Sequence, residues 1–173
     1  MSTLRILTYP DHFLLKPNEP LKHIDGQVQQ MIDTMAETMY AAPGIGLAAI
    51  QVGWDKNVLV YDIAPRDDKR KLHVLINARI IEREGEIVSE DEGCLSVPDF
   101  RSDVKRAERI LVEGLDREGA PVRIEADGLH AIVLQHEIDH LNGKLFIDRI
   151  SSLKRELYKR RVKKAMRENE HAV

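Results

Sequence analysis

The sequence predicts an α+β fold: one domain, with mixed or antiparallel β-sheets around a central buried helix and a further helix at the C-terminus. Three observations lead there. Several β-branched segments bounded by turn residues precede a helix that is apolar almost all the way round. No regular strand-helix-strand alternation separates those segments, which argues against a parallel α/β sheet. At 173 residues, with 43% hydrophobic and 32% charged residues, the chain has the size and composition of one soluble domain with a real core.

The elements follow in order. Asp25 is placed to cap a helix in which Val28, Met31, Ile32, Met35 and Met39 recur at helical spacing, ending at Ala41-Ala42-Pro43-Gly44. Those methionines read as core. Extended segments are expected at residues 57–63, 72–76, 109–115 and 122–125, the last two joined across Asp116-Arg117-Glu118-Gly119 as a hairpin. The central helix, residues 129–142, has Asp127 as its expected N-cap and Asn142-Gly143 as its stop. Leu129, Ile132 and Val133 share a face with two histidines, Ala131, Leu134, Ile138 and Leu141 cover the other side, and Gln135, Asp139 and Asn142 form a narrow polar stripe.

Charge divides the chain. Residues 1–150 carry 18 Lys+Arg against 26 Asp+Glu, whereas residues 151–173 carry eight against three. The reading is a core over 1–150 with a basic helix over 151–173 as part of the same domain, capped by Ser151 or Ser152. The N-terminal stretch lacks a basic region followed by an apolar run, and no segment is long enough to span a membrane. A single cysteine forms no internal disulfide. A cytoplasmic protein without a membrane partner is therefore expected.

The chemistry concentrates at His136-Glu137-Ile138-Asp139-His140, an H-E-x-x-H pattern. Four residues apart on a helix, the imidazoles lie about 40° from one another and can reach one cation, with Glu137 beside them to handle protons. Two histidines and a glutamate on an apolar helix are costly to bury unless a charge compensates them. Cys94, between Gly93 and Leu95-Ser96 in an otherwise polar stretch, would make a good third ligand as a thiolate. A Cys-His-His set leaves a fourth position for water, the arrangement of a catalytic rather than a structural metal site. A lone cysteine is more often a small buried hydrophobe, which is the plain alternative.

Gly44-Ile45-Gly46-Leu47-Ala48-Ala49-Ile50-Gln51 formally matches a dinucleotide fingerprint, but a helix precedes it and a strand follows, the reverse of what that motif needs. The better reading has glycines letting backbone approach a ligand, with the Gln51 carboxamide as donor. A tight turn with a structural glutamine is the competing one. Glu92 and Asp139 are surface carboxylates, or they orient a ligand histidine or pair with Arg106, with a salt bridge favoured for Asp139. His12, His23, His73, His130 and His171 show no ligand spacing.

The segments Gly44 to Gln51, Glu92-Gly93-Cys94-Leu95-Ser96 and Gln135 to His140 resemble, in order, the three motifs of the peptide deformylases, and the similarity runs over nearly the whole chain. The resemblance implies an α+β fold and hydrolysis of the N-formyl group of nascent polypeptides, releasing formate. It assigns Cys94, His136 and His140 to the metal, Glu137 to acid–base transfer, and Gln51 with the Leu95 N–H to the oxyanion. Gly44, Ile45 and Gly46 become a groove wall. Ile45, Leu129, Ile132 and Val133 become the methionine pocket, and Arg101 a groove-lining residue. Glu90 stands where some relatives carry an apolar residue at the pocket rim. The metal implied is Fe(II), with zinc, nickel or cobalt as alternatives, and the basic helix would approach the ribosome near the nascent-chain exit through RNA phosphates.

Independent chemistry is compatible with this. A divalent cation lowers the pKa of its water to about 7, and an oxyanion needs fixed donors. Three other classes compete: a zinc peptidase with Asp148 or Glu156 as third ligand, a thiol hydrolase with Cys94 as nucleophile, and a Cys-His-His copper carrier. The first depends on weakly placed ligands, the second leaves Glu137 idle, and the third leaves Glu137 and Gln51 idle. A non-catalytic ribosome-associated module is distinguished by releasing no formate.

Overall fold

The computed structural model describes residues 2–172. Among the described residues, seven strands and three α-helices follow one another as α1 (Gly26–Ala41), β1 (Gly46–Ala48), β2 (Val58–Tyr61), β3 (His73–Glu84), β4 (Ile87–Cys94), β5 (Val97–Arg106), β6 (Arg109–Leu115), β7 (Pro121–Asp127), α2 (Gly128–Leu141) and α3 (Ser152–His171). Short 3-10 turns lie at Ala49–Val52 and Phe146–Arg149. A five-stranded sheet has the order β1-β2-β3-β6-β7 and a hairpin pairs β4 with β5, all antiparallel. The fold is thus the expected α+β one.

β2 shows why the sheet sits between two helices. All four of its residues, Val58-Leu59-Val60-Tyr61, are buried, and a strand buried on both faces needs a cover on each. Side chains alternate, so Leu59 and Tyr61 join Leu134, Ile138 and Leu141 of α2, while Val58 and Val60 join Ile32, Met35 and Met39 of α1. α1 begins where expected, with the Asp25 carboxylate accepting from the Val28 N–H at 3.0 Å. A third cluster joins Val97 and Val104 of β5 to Phe146, Ile147 and Tyr158.

Several strands run beyond the sequence reading. β1, β4 and β5 were not anticipated, and β3 continues to Glu84. The exposed outer part of β3 and the charges of β4 and β5 hide the apolar alternation that marks a strand, whereas pairing with a neighbour supplies the stability that alternation otherwise signals. Asp127 precedes α2 as predicted, but its side chain makes no capping hydrogen bond; Gly128 turns the backbone there at φ 53. Of the polar stripe, Gln135 and Asp139 are internal and Asn142 is exposed. Gln135 is buried, accepting from the Ala107 N–H and donating to the Ala107 and Ala131 carbonyls at 2.9–3.0 Å, so it pins the β5–β6 corner to the helix.

α3 is different in kind. Ser151 caps it, accepting from the Lys154 N–H, and Tyr158 is its only buried residue among those described. No helix among the described residues is long and apolar enough to cross a membrane.

Candidate active site

Helical spacing sets the first two groups. His136 and His140 stand one turn apart on α2, their ring centroids 5.1 Å from each other and nearly edge to face. The third comes from far along the chain. Cys94 ends β4 and pairs with Val97 across the tight Leu95-Ser96 turn, which brings its Sγ to 3.3 Å from His140 Nε2. One ligand atom from each of Cys94, His136 and His140 lies within 4.8 Å of the other two. The Ser96 N–H, at 3.4 Å, and Gln51 Nε2, at 3.7 Å, converge on the sulfur.

A β-bulge aims the next residue inward. Along β4, Ser89 is buried, and strict alternation would bury Asp91 next; Asp91 instead adopts φ 51, the register shifts, and Glu92 takes the buried side. Glu92 then accepts from His136 Nδ1 at 2.7 Å and from Arg106, whose guanidinium also donates to Asp139 at 2.7 Å. The contact through Nδ1 leaves Nε2 as the ligating nitrogen of His136. Burial alone would raise the Glu92 pKa, but the hydrogen bond from His136 and the Arg106 cation outweigh it and hold the carboxyl well below its ordinary range. Burial depresses both histidines. In His136 the neighbouring Cys94 and the Glu92 carboxylate reverse that and raise it, whereas in His140 the His136 and Arg106 charges add to burial and keep it low.

Glu137 lies one residue from His136 on the cleft side. The residue is 4% exposed and burial pushes its carboxyl pKa up to about 7. The close approach of β1 depends on Gly46, where an added Cβ would stand 2.4 Å from Glu137 Oε1. Gln51 is held by its Oε1, which accepts from the Ala48 N–H at 2.9 Å, so its Nε2 is directed to Ser96 Oγ, at 3.1 Å, and to Cys94.

These groups open into a cleft of about 760 Å³. Its lining includes Gly44, Ile45, Gly46, Gln51, Cys94, Leu95, Arg101, Leu129, Ile132, Val133, His136 and Glu137, so every site residue anticipated from sequence lines the cleft except His140, which lies behind the lining, 1% exposed, with its Nε2 against Cys94. Ile45 and Leu129 are large apolar side chains left 44% and 54% exposed at this cleft. Arg101 lies against Gly93 and donates to the Asp91 carbonyl at 3.2 Å. Glu90 is exposed on the lining.

Sequence reasoning passed over Ser96, Phe100 and Arg149. Ser96 is fully buried against Gln51, and Phe100 lines the cleft and stacks on Phe146, with 5.9 Å between ring centroids. Nothing local distinguishes them. The sequence offered Glu92, Asp139 and Arg106 as a possible network, and the structure joins all three.

The donor set fits a divalent cation. A thiol and two imidazoles converge, and Glu137 Oε2, buried beside them, has no hydrogen-bond partner. Such an unsatisfied group carries a desolvation cost that a water held by a bound ion offsets.

Residues 3–156 match the family model described as polypeptide deformylase. A peptide deformylase of Desulfosudis oleivorans is 54% identical over 168 residues, covering 97% of each chain. The crystal structure of a peptide deformylase from Legionella pneumophila superposes with a TM-score of 0.88 at 44% identity, covering 98% of each chain. That of the Ehrlichia chaffeensis peptide deformylase in complex with actinonin gives 0.88 at 38% identity, over 95% of this chain and 98% of that one.

Proposed function

The chain belongs to the peptide deformylase family, metal-dependent hydrolases that remove the N-formyl group from polypeptides, and from that premise we propose how its residues divide the work. Cys94, His136 and His140 hold one divalent cation, and their mutual proximity within 4.8 Å is the observation that carries the reading. A cation held there would supply Lewis acidity toward water and the formyl carbonyl. Every other contribution comes from the chain itself.

Glu137 takes a proton from the attacking water and returns it to the amine as the C–N bond breaks, leaving formate and a free N-terminus. Burial raises its carboxyl above the ordinary carboxylate range, which suits a group that must both take up and give back a proton. Gln51 Nε2 and the Leu95 N–H donate to the oxygen on which charge develops. Gly44, Ile45 and Gly46 form the wall along which the peptide backbone runs, and Arg101 borders the groove. Ile45, Leu129, Ile132 and Val133 receive the unbranched methionine side chain, with Glu90 polar at the rim.

Fe(II) is the metal we propose, with zinc, nickel and cobalt able to occupy the same thiolate–imidazole set. Residues 1–150 form the catalytic core and 151–173 a basic helix of the same domain. That helix approaches the ribosome near the nascent-chain exit through RNA phosphates, and the working compartment is the cytoplasm. The test is formate release from formyl-Met-Ala by anaerobically purified protein with its metal quantified. Glu137→Gln should keep metal while losing roughly 10²–10⁴-fold in kcat; near-wild-type turnover in that variant would remove Glu137 from its role.

A further inference from the structure

His136 is tied to the far side of the molecule by four charged side chains in series, and the outermost has no role in the chemistry above. Glu92 accepts from His136 Nδ1; Arg106 bridges Glu92 and Asp139; and Arg149 closes the series with Nη2 donating to Asp139 Oδ1 at 2.8 Å and Nε to Oδ2 at 3.3 Å. Glu92, Arg106 and Asp139 have side chains 6%, 3% and 11% exposed, whereas Arg149 is 39% exposed, in a separate groove on the side of Lys105 and Glu86. The same short turn, Phe146–Arg149, also sets the Phe146 ring near-parallel to His136, with 6.3 Å between centroids. One segment therefore reaches this histidine by two routes.

The charges balance only with Arg149 present. Two guanidiniums and two carboxylates make a neutral quartet, and without Arg149 the buried Glu92 and Asp139 must share one cation. A buried carboxylate left short of partners is costly, so Arg106 would be drawn toward Asp139 and away from Glu92. Glu92 would then lose the partner that holds it against His136 Nδ1. Outer partners of ligand histidines fix ring orientation in this way.

We propose that Arg149 is a positioning residue for the metal centre, acting through Asp139, Arg106 and Glu92 to hold the His136 ring with Nε2 toward Cys94 and His140. The inference rests on the ligand set proposed above. It does not require Arg149 to touch substrate, and Arg149 is absent from the cleft lining.

The full chain loaded with nickel and challenged with excess EDTA gives a direct readout, the rate of nickel release, for wild type, Arg149→Met, Arg149→Gln and Arg149→Lys. Arg79→Met serves as control, since Arg79 makes an exposed pair with Glu113 and hydrogen-bonds none of the four side chains of the series. Arg149→Met and Arg149→Gln should each release nickel on the order of 10-fold faster than wild type, the low end for loss of a ligand's outer support. Arg149→Lys should recover part of the difference, because it restores charge without the two-pronged geometry. For formyl-Met-Ala, kcat should fall with KM unchanged. If the methionine variant does not fold, the glutamine variant decides by the same rate. Nickel release and kcat at wild-type values in a folded Arg149→Met or Arg149→Gln overturn the proposal, even if the melting temperature drops. A wild type that holds no nickel overturns the ligand set itself, a result distinct from a wild type and variants that hold it equally well.

Discussion

Helix α2 has nine buried residues of its 14, including Gln135, Glu137, Asp139 and His140, whereas α3, at 20 residues, buries Tyr158 alone. In α2 the buried polar side chains are held by distant elements, Gln135 by the Ala107 backbone, Asp139 by two arginines and His140 by the sulfur of Cys94, while Glu137 Oε2 is left unpaired at the cleft. In α3, apart from Arg161, which donates to the Asp99 carbonyl at 2.9 Å, the charges face solvent, with Lys159–Glu156 and Lys164–Glu168 at 3.8 and 3.9 Å and more than 40% exposed on every side chain. Such pairs contribute little to stability. The difference teaches that a helix built for chemistry is specified by its surroundings, while one left in water is specified by its own sequence and remains available to a partner.

The sharpest way to test that contrast is to remove a group that α2 needs from outside itself. Cys94→Ser is expected to lose tightly bound metal and turnover together, whereas Lys164→Ser in α3 should leave both unchanged; metal analysis alongside formate release decides. Full metal and full turnover in Cys94→Ser would dissolve the distinction.

The next test crowds α2 without touching its ligands. In Gly46→Ala the new Cβ would collide with Glu137 Oε1, so the carboxylate or β1 must shift. A displacement of this kind can cost on the order of 10²-fold in kcat. We expect such a loss with metal content retained, by steady-state kinetics.

Packing separates the helices further. Leu134→Ala should destabilise the protein by about 2–5 kcal/mol, since Leu134 is fully buried between α2 and the sheet. Met166→Ala, at a residue 45% exposed on α3, should stay within roughly 0.5 kcal/mol. Urea denaturation of the two variants measures both.

Acid should loosen the cleft wall before it affects α3. Burial alone would raise the Asp62 pKa, but the Tyr40 hydroxyl and the Ala64 and Lys71 N–H groups outweigh it and hold the carboxyl low. A carboxyl depressed on folding contributes stability above its unfolded pKa, near 4, and that contribution is lost as pH falls through the lower folded value. Because the Asp62 N–H also donates to the Ile45 carbonyl of the wall, Asp62→Asn should flatten the acid limb of stability below about pH 4. Melting curves across pH show whether the limb changes.

The smallest effect is expected from the tail. Because Tyr158 packs against Phe100 at 4.7 Å and Val162 joins the same cluster, removal of residues after 153 would open the core, so the cut belongs after Val162. That truncation should leave formyl-Met-Ala hydrolysis unchanged while weakening ribosome co-sedimentation at low salt. Equal ribosome binding by the truncated chain, or binding indifferent to salt, would leave α3 as a structural helix only.

The sequence by itself determined what depends on neighbours along the chain. The i, i+4 spacing of His136 and His140, the apolar face of α1, the hairpin at 116–119 and the basic character of 151–173 are local patterns, read from helical and strand periods and from charge. Only the tertiary structure decided that β4 and β5 exist as a pair. It also decided that a bulge at Asp91 turns Glu92 inward, that Gly46 meets Glu137, and that Arg149 joins Asp139. Those depend on pairing and burial between residues distant in sequence, and a charged strand or a surface arginine carries no local pattern to announce the partner that the fold supplies.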